Sequence, residues 1–415
     1  MTPEKLLRAL FDRAVAVADP MESLAGFLPP RPAGGRVVVV GAGKASARMA
    51  EAVEAAWGPC EGLVITRYGH ARPTRGIEIV EAAHPVPDQA GVEATLRMLA
   101  LLDGLGEGDF VLALISGGAS ALLCAPAGDI TLAEKQALSR ALLASGAPIG
   151  QMNVVRKHLS RVKGGQLAAA AWPAQVLALM ISDVPGDDPA LIGSGPTVGD
   201  RSTAADARAI LDRWGVPVPA SAAEVLARGT EVRAPGDPVL SRVENVVYAA
   251  PSRSLVAAAE LAADHGYPVE ILGDSIEGEA REVAAAHARL ALDAVGPRVI
   301  LSGGELTVTR RGDGCGGPNA EYALALAVAL NGAAGIHAIA CDTDGIDGAA
   351  EVAGALIGPE TLDRARACGA DPAEALASND AHGFFARIGE QIVTGPTLTN
   401  VNDFRALLIE ALKVD

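Results

Sequence analysis

Short runs of β-branched and other apolar residues alternate along this chain with Ala- and Leu-rich stretches of helical length. In the first half, these runs are Val37–Val40, Leu63–Thr66, Ile77–Val80, Phe110–Ile115 and Val176–Ile181. The alternation predicts βαβ units, and therefore an α/β fold built on a parallel sheet. Because the runs are apolar throughout, we expect helices to cover both faces of the sheet.

A second series of apolar runs follows a segment that contains two prolines and a glycine, Glu231–Arg242, which we interpret as an interdomain connection. The series comprises Asn245–Ala249, Val269–Leu272, Arg298–Leu301, His337–Ala340 and Gln391–Thr394. We therefore predict an N-terminal parallel-sheet domain over residues 1–236 and a smaller α/β C-terminal domain over residues 244–415. The length of 415 residues suits two domains of this class.

The composition excludes several classes of partner. The chain has 34 Lys and Arg residues against 50 Asp and Glu residues, a formal net charge of −16 that disfavours nucleic acid and anionic lipid. No apolar run approaches the roughly 20 residues that span a bilayer, and the N-terminus does not resemble a secretory signal. The five cysteines form no C-x-x-C pair, which argues against a disulfide framework or a zinc site. We expect a cytoplasmic monomer or homodimer that acts on a small molecule.

The residues that follow the predicted strands are the binding candidates, since ligands of open α/β sheets lie beyond the carboxyl ends of the strands. The first strand leads into Gly41-Ala-Gly43-Lys44, where the glycines permit a tight turn and the next helix offers its first amides to an anion. The turn does not match a Walker loop, and it matches a dinucleotide fingerprint only in part because Ser46 occupies the third glycine position. Lys44 is either a solvated lysine beside a packing turn or a point charge for a phosphate or carboxylate.

Another glycine turn, Ser116-Gly117-Gly118-Ala-Ser120, follows the fourth strand. Its hydroxyls and amides could form an anion-binding nest, and a purely structural turn is the alternative. The G-x-S-x-G pattern of an α/β-hydrolase nucleophile is not present here. The turn is therefore a candidate for binding and not for nucleophilic catalysis.

A local excess of positive charge follows this second glycine turn. Residues 136–182 contain five Lys and Arg residues and no Asp or Glu, in a chain that is acidic overall. Within this stretch Asn153, Arg156, Lys157 and Lys163 are candidate contacts for an anionic substrate, and His158 is a further candidate. A solvated cationic helix face is the alternative interpretation.

Carboxylates follow the fifth predicted strand. Asp183 and Asp187 could hold Mg²⁺ or accept a hydroxyl proton, and helix capping is the commoner role of aspartate in such loops. Ser194 lies in the next glycine-rich turn, Gly193-Ser-Gly-Pro-Thr197, and is a candidate binding residue.

The second half of the chain carries glycine-dense turns and an acidic loop. Gly304 and Asn319 lie in or beside the glycine-dense turns and are candidate contacts for a substrate or nucleotide. Asp342, Asp344 and Asp347 occur together after a predicted strand, in a pattern that does not match an EF-hand loop but suits a hard cation. We take these three aspartates as candidate metal ligands.

The motifs occur in a recognisable order. They are Gly41-Ala-Gly-Lys44-Ala, His84-Pro-Val-Pro-Asp88, Ser116-Gly-Gly-Ala-Ser120, Asn153-x-x-Arg156-Lys157-His158-Leu-Ser160-x-x-Lys163-Gly-Gly, Ser182-Asp183-Val-x-Gly-Asp187, Gly193-Ser-Gly-Pro-Thr197 and Asp342-Thr-Asp-Gly-x-Asp-Gly348. This series resembles the class II glycerate kinases, a family whose members are often named hydroxypyruvate reductases. The resemblance runs from Leu6 to Leu412.

The resemblance implies an enzyme that uses ATP and Mg²⁺ to phosphorylate the 2-hydroxyl of D-glycerate, giving 2-phosphoglycerate. It also implies a Rossmann-like N-terminal domain, a smaller C-terminal domain and an active site in the cleft between them. Lys44 would stabilise the transferring phosphoryl group, and the Ser116–Ser120 turn and the Arg156–Lys163 stretch would bind substrate and phosphates. Pro318 departs from the family pattern, since many members have at this position an arginine suspected of catalysis.

Two other functions are open at this point. The partial dinucleotide fingerprint is compatible with an NAD(P)H-dependent hydroxypyruvate reductase, although a reductase would not need the further anion-binding loops. A noncatalytic sugar-acid sensor is the second alternative, which the departure at Pro318 makes conceivable. Kinase chemistry is favoured because phosphoryl transfer needs cations, a metal and a group near the attacking hydroxyl, and this chain supplies each type of residue.

Overall fold

The computed structural model describes residues 1–348 and 350–411, so that Leu412, the last residue of the resemblance, lies outside the described residues. The chain divides into two compact units. The parallel-sheet unit comprises Pro20–Tyr248, and the mixed-sheet unit comprises Met1–Asp19 together with Ala249–Asp415.

A six-stranded sheet forms the centre of the parallel-sheet unit. Its strands are β1 (Val37–Ala42), β2 (Glu61–Arg67), β3 (Ile77–Ala82), β4 (Phe110–Ile115), β5 (Gln175–Ile181) and β6 (Val243–Ala249). They lie in the order β3-β2-β1-β4-β5-β6, which is the order of doubly wound Rossmann-type sheets, and the pairs from β3 to β5 are parallel. All of β4 is buried, which explains its uninterrupted apolar sequence. The predicted α/β fold with an N-terminal parallel sheet is confirmed.

Helices cover this sheet and extend beyond it. In chain order up to β6 the helices are α1 (Pro3–Ala16), α2 (Pro20–Ser23), α3 (Ser46–Trp57), α4 (Gln89–Leu102), α5 (Ala119–Leu122), α6 (Leu132–Ala144), α7 (Ile149–His158), α8 (Gln166–Ala170), α9 (Ala204–Arg213) and α10 (Ala220–Arg228). Four of them, α6, α7, α9 and α10, share a separate apolar core that includes Leu138, Val155 and Leu211. Three of the five Lys and Arg residues of the cationic stretch, Arg140, Arg156 and Lys157, therefore lie on helices that have their own apolar core.

A capping box fixes the start of α6. The Thr131 hydroxyl accepts a hydrogen bond from Glu134 N, and the Glu134 carboxylate accepts one from Thr131 N. We expect Thr131→Ala to lower the free energy of unfolding by about 1 kcal/mol, because Glu134 N loses the hydroxyl to which it donates. Urea denaturation checks this value, with Thr131→Ser as the control that keeps the hydroxyl; an equal loss in both variants would contradict the capping role.

The mixed-sheet unit contains the remaining elements. Its further helices are α11 (Pro251–Asp264), α12 (Ala280–Leu292), α13 (Pro318–Leu330), α14 (Thr361–Ala367), α15 (Pro372–Ser378) and α16 (Ala381–Ile388). Its strands are β7 (Val269–Gly273), β8 (Gly278–Glu279), β9 (Arg298–Gly304), β10 (Leu306–Thr307), β11 (Ile336–Asp342), β12 (Gly354–Ile357), β13 (Gln391–Ile392) and β14 (Asp403–Ile409). Six of them form a sheet in the order β13-β12-β11-β14-β9-β7, in which only β7 and β9 pair in parallel, while β8 and β10 form a separate pair. The sequence predicts neither β12 nor β14, although β14 lies inside the sheet.

The boundaries of the units differ from the predicted domain boundaries of 1–236 and 244–415. Helix α1 buries Leu7, Leu10 and Phe11 in a core formed with α11 and the mixed sheet, so the first 19 residues belong to the second unit. The segment Glu231–Arg242 leads into β6, which is the edge strand of the parallel sheet. The segment therefore lies inside the parallel-sheet unit and does not connect two domains.

Two general expectations concern membranes and disulfides. Within the described residues, no helix is long and apolar enough to cross a membrane. The five cysteines are free thiols.

Candidate active site

The glycine turns after β1 and β4 lie side by side in the parallel-sheet unit. The strand order reverses between these two strands, and ligands of doubly wound sheets bind at such a point, beyond the carboxyl ends of the strands. Lys44 N donates to Gly117 O at 2.8 Å, and Ala45 N donates to Ser116 Oγ at 3.0 Å. The structure thus joins two motifs that are 70 residues apart in sequence.

Two glycines in these turns are required by close contacts. Gly43 has a φ of +143°, and a Cβ there would lie 2.1 Å from Ser116 Oγ. Gly118 has a φ of +83°, and a Cβ there would lie 3.2 Å from His84 Nε2 and 3.3 Å from Lys44 Cγ. The side chain of Lys44 and the ring of His84 therefore both pass close to the second turn.

A cavity of about 260 Å³ lies beside the second turn, with Gly118 and Ser120 in its wall. The Lys and Arg side chains that line it are Lys135, Arg140, Arg156 and Lys163. None of the described residues that line it is an Asp or a Glu. In a chain of net charge −16, a cavity with this lining favours an anionic small molecule.

Hydrogen bonds join four of the predicted binding residues in a chain beside this cavity. Ser120 Oγ lies 2.8 Å from Ser194 Oγ, and Ser194 Oγ donates to Asn153 Oδ1 at 3.5 Å. Arg156 Nη1 donates to the same Asn153 oxygen at 3.1 Å. Within the described part of the chain these contacts hold the Arg156 guanidinium without an acidic partner, which leaves its charge available to a ligand.

Lys163 is almost completely buried, with 1% of its surface exposed. Its Nζ donates to Ser120 O at 2.9 Å and to Leu123 O at 3.0 Å, so backbone carbonyls at and just after the second turn hold the amine in place. Burial, followed by the positive charges of Lys135 and Arg156, lowers the pKa of Lys163 to about 7. The charge of the cavity is therefore sensitive to pH near neutrality.

This pKa predicts that anion binding weakens as the pH rises. Below pH 7 the Lys163 amine carries a proton and attracts an anion; above pH 7 the proton is lost and the attraction falls. Between pH 6 and pH 8 we expect the affinity for sulfate, whose own charge is constant in this range, to fall about fivefold, which is the change between these two pH values when binding raises that pKa by about one unit. Titration calorimetry measures the affinity. Lys163→Met should remove most of the pH dependence, and an unchanged profile would assign it to another group, such as His84.

Lys157 and His158 are predicted contacts that the structure places elsewhere. The Lys157 ammonium forms a buried ion pair with Asp200. His158 Nδ1 lies 2.5 Å from Thr230 Oγ1, its Nε2 lies 3.1 Å from Ser202 Oγ, and burial lowers its pKa. Neither residue lines the cavity. Their side chains tie α7 to the segment around Asp200, which is a structural role.

The carboxylates after β5 occupy different positions. Asp183 comes two residues after β5, the neighbour of β4 in the sheet, and so follows the same edge of the sheet as the glycine turns. Asp187 ends a short 3₁₀ turn, Pro185–Asp187, with a φ of +54°. Of the two, Asp183 is the better placed to act beside the turns.

Asp347 has a structural partner on each oxygen. Its Oδ1 accepts a hydrogen bond from Asn319 N at 2.9 Å, and its Oδ2 accepts one from Ala320 N at 2.8 Å. The same carboxylate lies 3.1 Å from His382 Nε2. Asp347 therefore caps α13 from a distant loop, and its role in the fold accounts for its burial.

Asp342 and Asp344 form local turns. Asp342 Oδ1 accepts a hydrogen bond from Asp344 N, and Asp344 Oδ1 accepts one from Ile346 N, both at 2.9 Å. In the part of the chain that the structure describes, no three His, Cys, Asp or Glu side chains are grouped so as to hold a metal ion. The structure does not assemble the predicted metal site of Asp342, Asp344 and Asp347.

Asn319 and Gly304 also take part in the packing of the mixed-sheet unit. Asn319 is buried, and its Nδ2 donates to Asp403 Oδ1 at 2.7 Å. Gly304 pairs with Asp403 across the sheet, and a Cβ there would lie 2.3 Å from Ile276 N. These contacts explain why an asparagine and a glycine occur at the two positions without a ligand.

Three titratable residues of the cavity were not predicted as binding residues: His84, Lys135 and Arg140. The sequence of α6 contains a pattern that could have indicated Lys135 and Arg140. Lys135 and Ser139 are four residues apart, as are Gln136 and Arg140, and all four line the cavity. The acid-free stretch of the sequence also extends to Lys135, which directly follows Glu134.

Comparisons with known proteins agree with this architecture. Two family models match the chain, a domain of unknown function (DUF4147) over residues 6–227 and the MOFRL family over residues 298–403. D-glycerate 2-kinase of Thermotoga maritima is 38% identical over 411 residues, covering 96% of this chain and 95% of that protein. The crystal structure of glycerate kinase from Thermotoga maritima matches with a TM-score of 0.89 and 37% identity, covering 98% of this chain and 99% of that chain. The chain belongs to the glycerate kinase family.

A second name also occurs among the relatives of this glycerate kinase family member. A putative hydroxypyruvate reductase of Agrobacterium vitis is 54% identical over 420 residues, covering 99% of this chain and 95% of that protein. The resemblance to the glycerate kinase family found in the sequence is confirmed, together with the double naming. The two names describe different reactions, phosphorylation of glycerate and reduction of hydroxypyruvate, so the choice between them depends on the geometry of the site.

Proposed function

We propose that this chain phosphorylates the 2-hydroxyl of D-glycerate with ATP, giving 2-phosphoglycerate. The observation that carries the proposal is the cavity beside the second glycine turn, lined by four cationic side chains and by no carboxylate among the described residues. An anionic acceptor and an anionic donor both need such cations, because phosphoryl transfer depends on positioning and on neutralising phosphate charge.

Each residue then has a role that its contacts allow. Arg156 offers a planar guanidinium that can bind the glycerate carboxylate with two hydrogen bonds. Lys44, whose Cγ lies close to Gly118, is the candidate whose ammonium stabilises the transferring phosphoryl group. Asp183, after β5, is the candidate to accept the proton of the attacking hydroxyl.

The parallel-sheet unit contains residue types that can hold a nucleotide and its metal ion: a carboxylate after β5 and glycine turns after β1 and β4. Mg²⁺ is usually held by one or two carboxylates together with substrate phosphates, and holding Mg²⁺ is the alternative role of Asp183 to accepting the hydroxyl proton. When bound, Mg²⁺ neutralises phosphate charge in the transition state. The glycine turns would contribute backbone amides at the starts of the following helices, which are the groups that bind phosphates in such turns.

A direct assay tests the proposal. Purified protein is incubated with D-glycerate and MgATP, and ADP formation is followed together with the ³¹P spectrum of the product. We expect ADP and 2-phosphoglycerate in equal amounts. ADP formation without a phosphorylated acid would overturn the kinase assignment, and a 3-phosphoglycerate signal would overturn the assignment of the 2-hydroxyl.

Reduction of hydroxypyruvate is the second candidate, because the β1 turn lies where doubly wound sheets bind dinucleotides. Against it, Ser46 takes the position of the third fingerprint glycine, and its hydroxyl is buried and donates to Leu114 O at 3.0 Å. Incubation with hydroxypyruvate and NADH or NADPH tests this reaction in parallel. We expect no oxidation of either cofactor.

A further inference from the structure

The positive charge of the cavity exceeds what a hydroxy acid requires. Four formally cationic side chains line it, without a carboxylate among the described lining residues. Glycerate has one negative charge at neutral pH, whereas a phosphate ester adds roughly 1.5 to 2 further charges. A phosphorylated acid therefore balances this lining much more closely than the free acid does.

Lys135 is the least compensated of these four residues. It is 8% exposed, and no residue in the described part of the chain forms a hydrogen bond or ion pair with its ammonium group. Burial lowers its pKa, and the neighbouring Arg156 lowers it further. A buried ammonium without a counter-ion destabilises the free protein, so a bound anion is the natural partner of this group.

The other cations of the cavity have either hydrogen-bond partners among the described residues or exposure to solvent, and Lys135 has neither. Lys163 has two backbone carbonyls, and Arg156 has the Asn153 amide oxygen. Arg140 is partly exposed to solvent. Lys135 is therefore the residue whose charge depends most on what the cavity contains.

We propose that Lys135 makes the cavity selective for a phosphoryl dianion, so that the protein holds a phosphorylated hydroxy acid more tightly than the same acid without phosphate. The identity of that acid as glycerate rests on the proposed function. The preference for a dianion does not, since it follows from the lining of the cavity alone.

The proposal predicts a difference between ligands that a general loss of structure would not produce. Titration calorimetry on the full-length protein at pH 7, without nucleotide, measures the affinities for 2-phosphoglycerate, sulfate and D-glycerate. We expect wild type to bind 2-phosphoglycerate most tightly. Lys135→Met should lower the affinities for 2-phosphoglycerate and sulfate about 10- to 100-fold, which is the effect of losing one hydrogen bond between charged groups. The affinity for D-glycerate should fall less than about threefold.

Matched variants separate this effect from net charge and from folding. Lys5→Met removes the same charge from an exposed position on α1 and should leave all three affinities unchanged. Lys135→Gln, which keeps a polar group of similar length, should behave like Lys135→Met if the charge is what matters. Far-ultraviolet circular dichroism and thermal melting establish that each variant is folded.

The outcomes distinguish this proposal from the proposed function. An equal loss for 2-phosphoglycerate and D-glycerate, or no loss for either, would overturn the role of Lys135. If wild type phosphorylates no glycerate but sulfate binding still depends on Lys135, the proposed function fails and the selectivity of the cavity stands. If wild type is an active kinase and Lys135→Met binds 2-phosphoglycerate as wild type does, the proposed function stands and the role of Lys135 in selectivity fails.

Discussion

Replacing Lys44 with methionine is expected to lower the kcat of glycerate phosphorylation about 100- to 1000-fold, the range observed when one preorganised group that stabilises transition-state charge is removed. The reason is its position: Lys44 N is fixed to Gly117 O, and its side chain passes close to Gly118. The KM for D-glycerate should change by less than about threefold, because Lys44 is assigned to the phosphoryl group and not to the acid.

Steady-state kinetics with D-glycerate and MgATP measure both constants. Lys44→Arg is the control, since it keeps a positive charge but changes its shape and reach, and it should retain more activity than Lys44→Met. A Lys44→Met variant with unchanged kcat would remove Lys44 from the catalytic residues. Loss of turnover with glycerate binding intact would exclude a pure sensor, because such a protein has no turnover to lose.

Replacing Gly43 with alanine is expected to destabilise the parallel-sheet unit by about 2 to 4 kcal/mol. The added Cβ would lie 2.1 Å from Ser116 Oγ and 2.7 Å from Ser116 O, so the turns after β1 and β4 would have to separate. The figure combines about 1 kcal/mol for a positive φ in a residue with a side chain and about 1 to 3 kcal/mol for overpacking.

Urea denaturation followed by tryptophan fluorescence measures this change selectively. The three tryptophans of the chain, Trp57, Trp172 and Trp214, lie within Pro20–Tyr248, so the signal reports on the parallel-sheet unit. Gly69→Ala is the control, because Gly69 also has a positive φ, but a Cβ added there would meet no atom of the described residues within 4 Å. Equal destabilisation by both substitutions would mean that backbone strain, and not the contact with Ser116, accounts for the effect.

The parallel sheet could be predicted because its signal is local. Strands such as β4 are buried along their whole length, so each appears in the sequence as an unbroken apolar run. The glycine turns at β1 and β4 could be predicted for the same reason, since a tight turn and a helix start need particular residues at adjacent positions. That the two turns touch follows from the strand order, which the sequence pattern alone does not specify.

Strand β14 illustrates what local patterns cannot show. It contains Asp403 and Arg405, whose charges suggest an exposed segment. In the structure Arg405 Nη1 donates to Asp403 Oδ2 at 3.0 Å, and Asn319 donates to the other oxygen of Asp403. Burial raises the pKa of Asp403 to about 6. The charged residues of the strand pair with each other, and Asn319, which lies 84 residues away in sequence, supplies the further partner that Asp403 needs when buried.

In the candidate site, too, some residues are indicated by a local sequence pattern and others only by contacts between distant parts of the chain. Arg156 and Lys163 stood out because the stretch around them is free of acids, whereas Lys135 belongs to the cavity only through the packing of α6 beside the second glycine turn. The structural contacts of Asp347 could not be predicted for a related reason. Its carboxylate lies in an acidic loop, and the start of α13 that donates to it is 28 residues away in sequence.

The membership of α1 in the mixed-sheet unit has a consequence for how the protein folds during synthesis. The apolar side of α1, with Leu7, Leu10 and Phe11, packs in a core that includes Phe404 and Leu408 of β14. Ribosomes add about 5 to 20 residues per second, so a chain of 415 residues takes roughly 20 to 80 seconds to complete. For most of that time α1 has no β14 to pack against, while the parallel-sheet unit has already left the ribosome. The apolar side of α1 therefore lacks part of its native core until β14 has been synthesised.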